Sequence, residues 1–241
     1  CSLSKCLQAD DGELPRYVSV GSNPFARSSS SPGFLGPRFV ATSVAPVEST
    51  NDQEFAQLRV DFLNRPADFS DARNRARMQL WNRMQSDFLN TRSTPNVETH
   101  QTVYQSAFRM LDSDARSAFD LAQEPDAVRQ SYGRGSFGQG CLMARRLIQR
   151  GVPLVEVTLG NGLGWDTHTD NFSQVRRLSE QLDAGWGTLM NELRDHGLLE
   201  STTILWVGEF GRTPRINRNG GRDHFPQAFT CVLAGGGING A

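Results

Sequence analysis

Residues 152–172 read VPLVEVTLGNGLGWDTHTDNF, and the reading of this stretch decides the fold. Residues 152–159 form a short, apolar, β-branched run, the composition of a buried strand. Gly160, Asn161, Gly162 and Gly164 break it, and the loop then carries Asp166, His168 and Asp170. From about residue 173 to residue 196, Val175, Leu178, Leu182, Trp186, Leu189 and Leu193 recur at the helical interval, and Gly197 stops the run. Residues 203–207 (TILWV) make a second apolar strand, and a third follows at about 229–234. Strand, helix and strand with short connections describe an α/β fold, a parallel or mixed sheet covered by helices. The order predicts that 153–159, 203–207 and 229–234 share one sheet, with the helix 173–196 on one face.

Upstream, residues 132–140 read YGRGSFGQG and run into a helix with Phe137, Cys141, Ala144, Leu147 and Ile148 on its apolar side, ending at Gly151. The glycines suggest a phosphate cradle, yet the segment lacks the GxxxxGK[ST] spacing and no strand precedes it. They are read as a close approach of the helix to its neighbours, with a nucleotide-binding loop as the lesser alternative. Cys141 is then a small core residue. Before this segment the texture is helical. Phe55, Leu58 and Phe62 fall at helical spacing, a helix is expected from about Ser70, its N-cap, to about Asn90 with Leu80, Met84 and Phe88 on one stripe, and further helices over 96–112 and 114–122. Residues 1–50 are rich in Ser, Pro, Gly and Asn and sustain no period, so they are read as a long irregular surface excursion, with 17–20 (YVSV) and 34–36 as short extended pieces at most. The resulting organisation is one domain: 1–50 irregular, 51–135 a helical insertion, and 136–241 the α/β core.

The balance of 25 basic against 26 acidic residues argues against nucleic-acid binding driven by phosphate neutralisation. Lys5 is the sole lysine; such arginine use suits bidentate anion contacts but equally follows from a GC-rich genome. No run of eighteen apolar residues occurs, so no membrane-spanning helix is expected. The four cysteines match no zinc-ribbon spacing. The chain opens at Cys1 without a visible signal peptide and stops inside a glycine-rich turn, so it is read as a fragment.

The chemistry gathers at the end of the chain, where residues 206–241 read WVGEFGRTPRINRNGGRDHFPQAFTCVLAGGGINGA. Glu209, Asp223 and His224 offer metal-ligand atoms there, and Arg212 and Arg222 offer anion clamps. The 160–172 loop adds Asp166 and His168. Both polar loops leave the carboxyl ends of strands, where open α/β sheets bind their ligands. Asp166, His168, Glu209, Asp223 and His224 are therefore expected to converge on one divalent-metal site, with Arg212 and Arg222 at its rim. Two plainer readings stand beside it: Asp166 and His168 cap the helix near Ser173, and Asp223 pairs with Arg222.

The segments GWDTHTDNF, WVGEFGRTPRI, GGRDHFP and LAGGGINGA resemble the DUF1501 proteins, bacterial proteins placed with the alkaline phosphatase and sulfatase superfamily. EPDAVRQSYGRGSFGQGCLMARRLIQRGVPLVEV is similar to the middle of that family, and the resemblance is strong over residues 100–241. It implies an alkaline-phosphatase-like α/β/α sandwich, incomplete here, with the first core strand and the nucleophile in a missing N-terminal part. Asp166 and His168 sit at the superfamily's metal loop, though its longer spacing is not kept. Glu209 falls where an Asp-His pair ends the next strand, Phe210 replacing the His, and Asp223 and His224 match the later metal His. The implied activity is metal-dependent hydrolysis of phosphate or sulfate esters, with a divalent cation (Zn, Mn, Mg or Ca), a small anionic ester as substrate and a periplasmic or exported location. The alternative is a non-catalytic exported binding or structural protein with a degraded metal site.

Overall fold

The computed structural model describes residues 2–7, 12–21, 35–36, 39–47, 54–61, 63, 70–92, 95–160 and 164–239. The chain begins with α1 (Ser2–Cys6), β1 (Tyr17–Val20), β2 (Thr42–Val47), β3 (Gln57–Arg59), α2 (Asp71–Arg92) and α3 (Pro95–Asp112). After 3-10 turns at Asp114–Phe119 and Leu121–Gln123 come α4 (Asp126–Ser131), α5 (Ser136–Gln149), β4 (Leu154–Val157) and α6 (Asn171–Asp195). A last turn at Leu199–Ser201 leads to β5 (Thr203–Val207), β6 (Gly211–Arg212), β7 (His224–Phe225) and β8 (Cys231–Gly235). The class is α/β.

The main sheet has the order β3-β2-β1-β4, with β1 parallel to both β2 and β4 and β3 antiparallel to β2. This corrects the reading of residues 1–50 as an irregular excursion. Val18, Val20 and Val44 are fully buried at the centre of the core, and burial of such a side chain contributes roughly 1.5–3 kcal/mol. YVSV alternates inward and outward as a strand must, but four residues within a Ser- and Pro-rich background carry too short a period to stand out. The segment around Leu58 is likewise a strand, β3, and not a helix; Phe62 lies outside the described residues. Phe55 lies under the guanidinium groups of Arg129 and Arg134, at 4.2 and 4.6 Å. In α2 the backbone N–H of Arg73 donates to Ser70 Oγ at 3.3 Å, as an N-cap should. Its expected stripe of Leu80, Met84 and Phe88 is exposed; Trp81 instead meets Tyr104 and Phe108 of α3.

Helix α5 lies on this sheet, and its glycines set the distance. A Cβ on Gly140 would stand 2.9 Å from Val157 and 3.1 Å from Val20, and one on Gly138 would stand 2.0 Å from the Tyr132 carbonyl oxygen. The YGRGSFGQG segment therefore serves close packing. Helix α6 crosses α5 at Gly185, where a Cβ would enter the Phe137 ring at 2.8 Å, and Cys141 is buried beside this crossing. Burial pushes the Cys141 thiol up, away from the reactive thiolate.

A second correction concerns the sheet itself. The strand at 203–207 does not join the one at 153–159. β5 pairs antiparallel with β8 along its whole length, Thr203 opposite Gly235 through Val207 opposite Cys231, in a separate two-stranded sheet. β4 is held on one side by β1, parallel to it from Leu154 to Val157, and among the described residues no strand pairs with its other edge. α6 connects the two sheets: Leu182 and Leu189 pack on the main core, while the Trp186 ring lies 5.8 Å from that of Trp206 in β5. Among the described residues no helix is long and apolar enough to cross a membrane.

Candidate metal centre

Two loops build the site: residues 164–170, between β4 and α6, and residues 213–223, between β6 and β7. They are stitched together by main-chain bonds. Thr169 bridges Gly220, the Asn171 N–H donates to the Gly220 carbonyl at 3.0 Å, and the Arg222 N–H donates to the Thr167 carbonyl at 2.9 Å. Gly221 is required at the crossing, because a Cβ there would stand 2.0 Å from the His168 carbonyl. Thr167 is buried beneath, its hydroxyl donating to Asn171 Oδ1 at 2.6 Å. Asp170 occupies the N-cap position of α6 at φ 45°, and its carboxylate accepts from Ser173 Oγ at 2.7 Å. The helix end therefore takes Asp170 and leaves Asp166 to the site.

There Asp166 meets both histidines. Its Oδ1 lies 3.0 Å from His168 Nε2 and 3.1 Å from His224 Nε2, and the two Nε2 atoms lie 3.1 Å apart. These three groups are the described cluster with metal-ligand geometry. The imidazoles are about half exposed, His168 at 45 % and His224 at 46 % of their side-chain surface. His224 is set in place by β7, where it pairs across from Arg212, and its ring lies 4.8 Å from that of Phe210.

The remaining expected residues surround this triangle in different roles. Asp223 accepts from Asn217 Nδ2 at 3.1 Å and faces His168 Nδ1 at 3.3 Å, on the far side of that ring. It does not pair with Arg222. The Arg222 guanidinium donates to the carbonyls of Thr213 at 2.7 Å and Pro214 at 2.8 Å, so it closes the hairpin loop. Arg212 donates to Asp166 Oδ1 and to Glu209 Oε1, and Glu209 reaches the triangle only through this bridge. Burial by itself would raise the Asp166 carboxyl, but the contacts from His224 and Arg212 outweigh it and hold it below its ordinary value. Asp223 is also held low, by the Asn217 amide first and by His168. Both are carboxylates well below neutral pH.

The donor set fits a divalent cation. Three donors each about 2.0–2.1 Å from one ion lie about 3.0 Å apart on an octahedral face and about 3.4 Å apart on a tetrahedral one. The observed edges of 3.0–3.1 Å match the first. One carboxylate with two imidazoles also suits zinc, manganese or iron by ligand type. Sequence reasoning missed Asn217, whose only signal was an Asn-rich turn, INRNGG, of the kind that bonds its own backbone.

The profile of the family described as protein of unknown function (DUF1501) matches residues 2–241. No curated protein and no solved structure matches the chain.

Proposed function

The chain belongs to the DUF1501 family, and for this member we propose a divalent-cation site on Asp166, His168 and His224 that serves the hydrolysis of phosphate or sulfate esters. The observation that carries the reading is the triangle of one carboxylate oxygen and two Nε2 atoms with edges of 3.0–3.1 Å. A divalent cation, when bound, supplies Lewis acidity toward an ester oxygen and toward water. Asp166 supplies the negative charge of the ligand set, and its depressed pKa keeps that charge in place. Arg212, bridging Asp166 and Glu209, places a positive charge at the border of the site. In this reading the main sheet with α5 and α6 forms part of an alkaline-phosphatase-like sandwich, and the protein is exported.

One observation favours a non-catalytic reading as the second choice. The site lies open on the surface, and the apolar ring packed beside His224, at 4.8 Å, is that of Phe210, a side chain with no ligand atom. Calorimetric titration of zinc and of manganese into the protein separates the readings, together with turnover of p-nitrophenyl phosphate and p-nitrophenyl sulfate. The hydrolase reading expects tight binding, ester turnover that chelators abolish, and loss of both in His168→Ala and His224→Ala. Binding without turnover of either ester selects the second reading. No binding, or binding unchanged in both variants, removes the site.

A further inference from the structure

Helix α2 turns one face to α3 and a second, apolar stripe to solvent. Trp81 meets Tyr104 and Phe108 at ring distances of 5.7 and 5.5 Å, which fixes the inner face. Leu80, Met84 and Phe88 follow one another at one-turn intervals and are 59, 63 and 43 % exposed. Arg73 and Arg77 continue the same stripe toward the helix start, since all five positions fall within about a quarter of a turn. The three apolar side chains extend over about 12 Å of helix axis. Single exposed apolar side chains are ordinary, whereas a contiguous row rimmed by polar groups marks a contact surface.

Charge decides which contact. Arg73, Arg75, Arg77 and Arg83 are all exposed, against Asp87 among the side chains described on this helix. The whole chain carries a net charge of -1, so an attraction for anions is local to α2 and does not come from the molecule at large. Arginines beside a row of Leu, Met and Phe describe a helix that lies in a membrane interface, with guanidinium groups at headgroup phosphates and apolar groups at the acyl boundary. The arginine stems can run along the apolar layer while their charged ends stay in water. We propose that α2 docks the protein on an anionic lipid surface through Leu80, Met84 and Phe88, with Arg73 and Arg77 on lipid phosphates. A second copy fits less well, because three partly exposed side chains bury far less than the roughly 800 Å² per partner of a stable interface. Nucleic acid offers phosphates but no apolar layer to receive the stripe. None of these residues belongs to the candidate metal centre, so the docking surface stands apart from the reading of that site.

The test is co-sedimentation of the protein with vesicles of phosphatidylcholine and phosphatidylglycerol in about equal parts, against vesicles of phosphatidylcholine alone, at about 0.05 M salt. Binding is expected to the mixed vesicles only, and it should fall steeply by about 0.5 M salt. The triple change Leu80→Gln, Met84→Gln and Phe88→Gln should lower partitioning about tenfold or more. The double change Arg73→Gln and Arg77→Gln should lower it about 10- to 30-fold. Both variants should keep the wild-type urea midpoint, because every substituted side chain is exposed. Absence of wild-type binding to the mixed vesicles overturns the proposal. Binding that the apolar triple variant retains in full also overturns it, since the contact is then adsorption of charge alone. A dimer in sedimentation velocity that the triple variant dissolves, with no vesicle binding, gives the stripe to a second copy instead.

Discussion

Around Arg145 and Arg146 every guanidinium nitrogen has an acceptor; around Arg212 one of the two carboxylate oxygens it serves is shared with two imidazoles. In the first cluster Arg145 reaches Glu124 at 2.8 Å, Glu192 at 3.0 Å and Gln149 at 2.8 Å. Arg146 binds Glu124, the carbonyls of Ala118 and Ser117, and Gln123. Tyr132 completes the set through Glu192 at 2.8 Å. The charged side chains there are only 7–21 % exposed. In the second cluster Arg212 joins Asp166 to Glu209, yet Asp166 Oδ1 also faces two imidazole nitrogens on the open surface. The difference separates two uses of the same chemistry. A buried network with matched donors and acceptors ties the 3-10 turns at 114–123, α5 and α6 together, whereas the ring nitrogens and carboxylate gathered at one exposed point form the candidate cation site.

The largest effect expected from this contrast is on stability alone. Arg145→Ala leaves Glu192 with the Tyr132 hydroxyl alone and Glu124 with Arg146 alone, and removing one partner of a buried ion pair costs about 3–5 kcal/mol. Urea unfolding should show that loss, while zinc affinity of the folded protein stays at the wild-type value. A loss of zinc affinity in the folded variant would mean that the two clusters are coupled. The next effect is the converse. Gly221→Ala drives a Cβ into the His168 carbonyl and parts the two loops. Zinc affinity should fall about tenfold or more, on the scale of lost support behind a ligand, with a smaller drop in urea midpoint than for Arg145→Ala. Equal drops in midpoint would show that the loops belong to the core after all.

The same contrast explains what was legible in the sequence. Asp166, His168 and His224 could be found because their residue types are few and each stands beside a strand end marked by glycines. The helices α5 and α6 carry long apolar stripes, and both lie where the spacing put them, within two residues. β1 and β2 were not legible, since short parallel strands gain their identity from neighbours far along the chain. Val18 is defined by Thr42 and Val155 across the sheet. Residues 203–207 and 229–234, expected in one sheet, do share one as the antiparallel pair β5 and β8, but apart from the strand at 153–159. Division of labour within the site was hidden too: Arg212 and Arg222 have identical chemistry, and only the hairpin register gives one to carboxylates and the other to carbonyls.

The smallest expected effect is a dependence on pH that belongs to the buried cluster. Burial pushes the Glu124 carboxyl upward, but hydrogen bonds and charge from Arg145 and Arg146 outweigh it and hold the group below its ordinary value of 4.5. A carboxyl whose pKa is lower folded than unfolded contributes stability that is fully present above the unfolded value. That contribution fades as pH falls from there through the folded value, because the unfolded chain takes up the proton first. Asp166 and Asp223 are also held low, so the acid limb of the wild-type protein alone does not isolate Glu124. The difference between wild type and Glu124→Gln does, since the other groups titrate in both. Urea unfolding of the pair should show the widest gap near about pH 7 and a steady narrowing below about pH 4.5. A gap of constant width down to about pH 3 would place the value of Glu124 in its shape and hydrogen bonds, with no part for its charge.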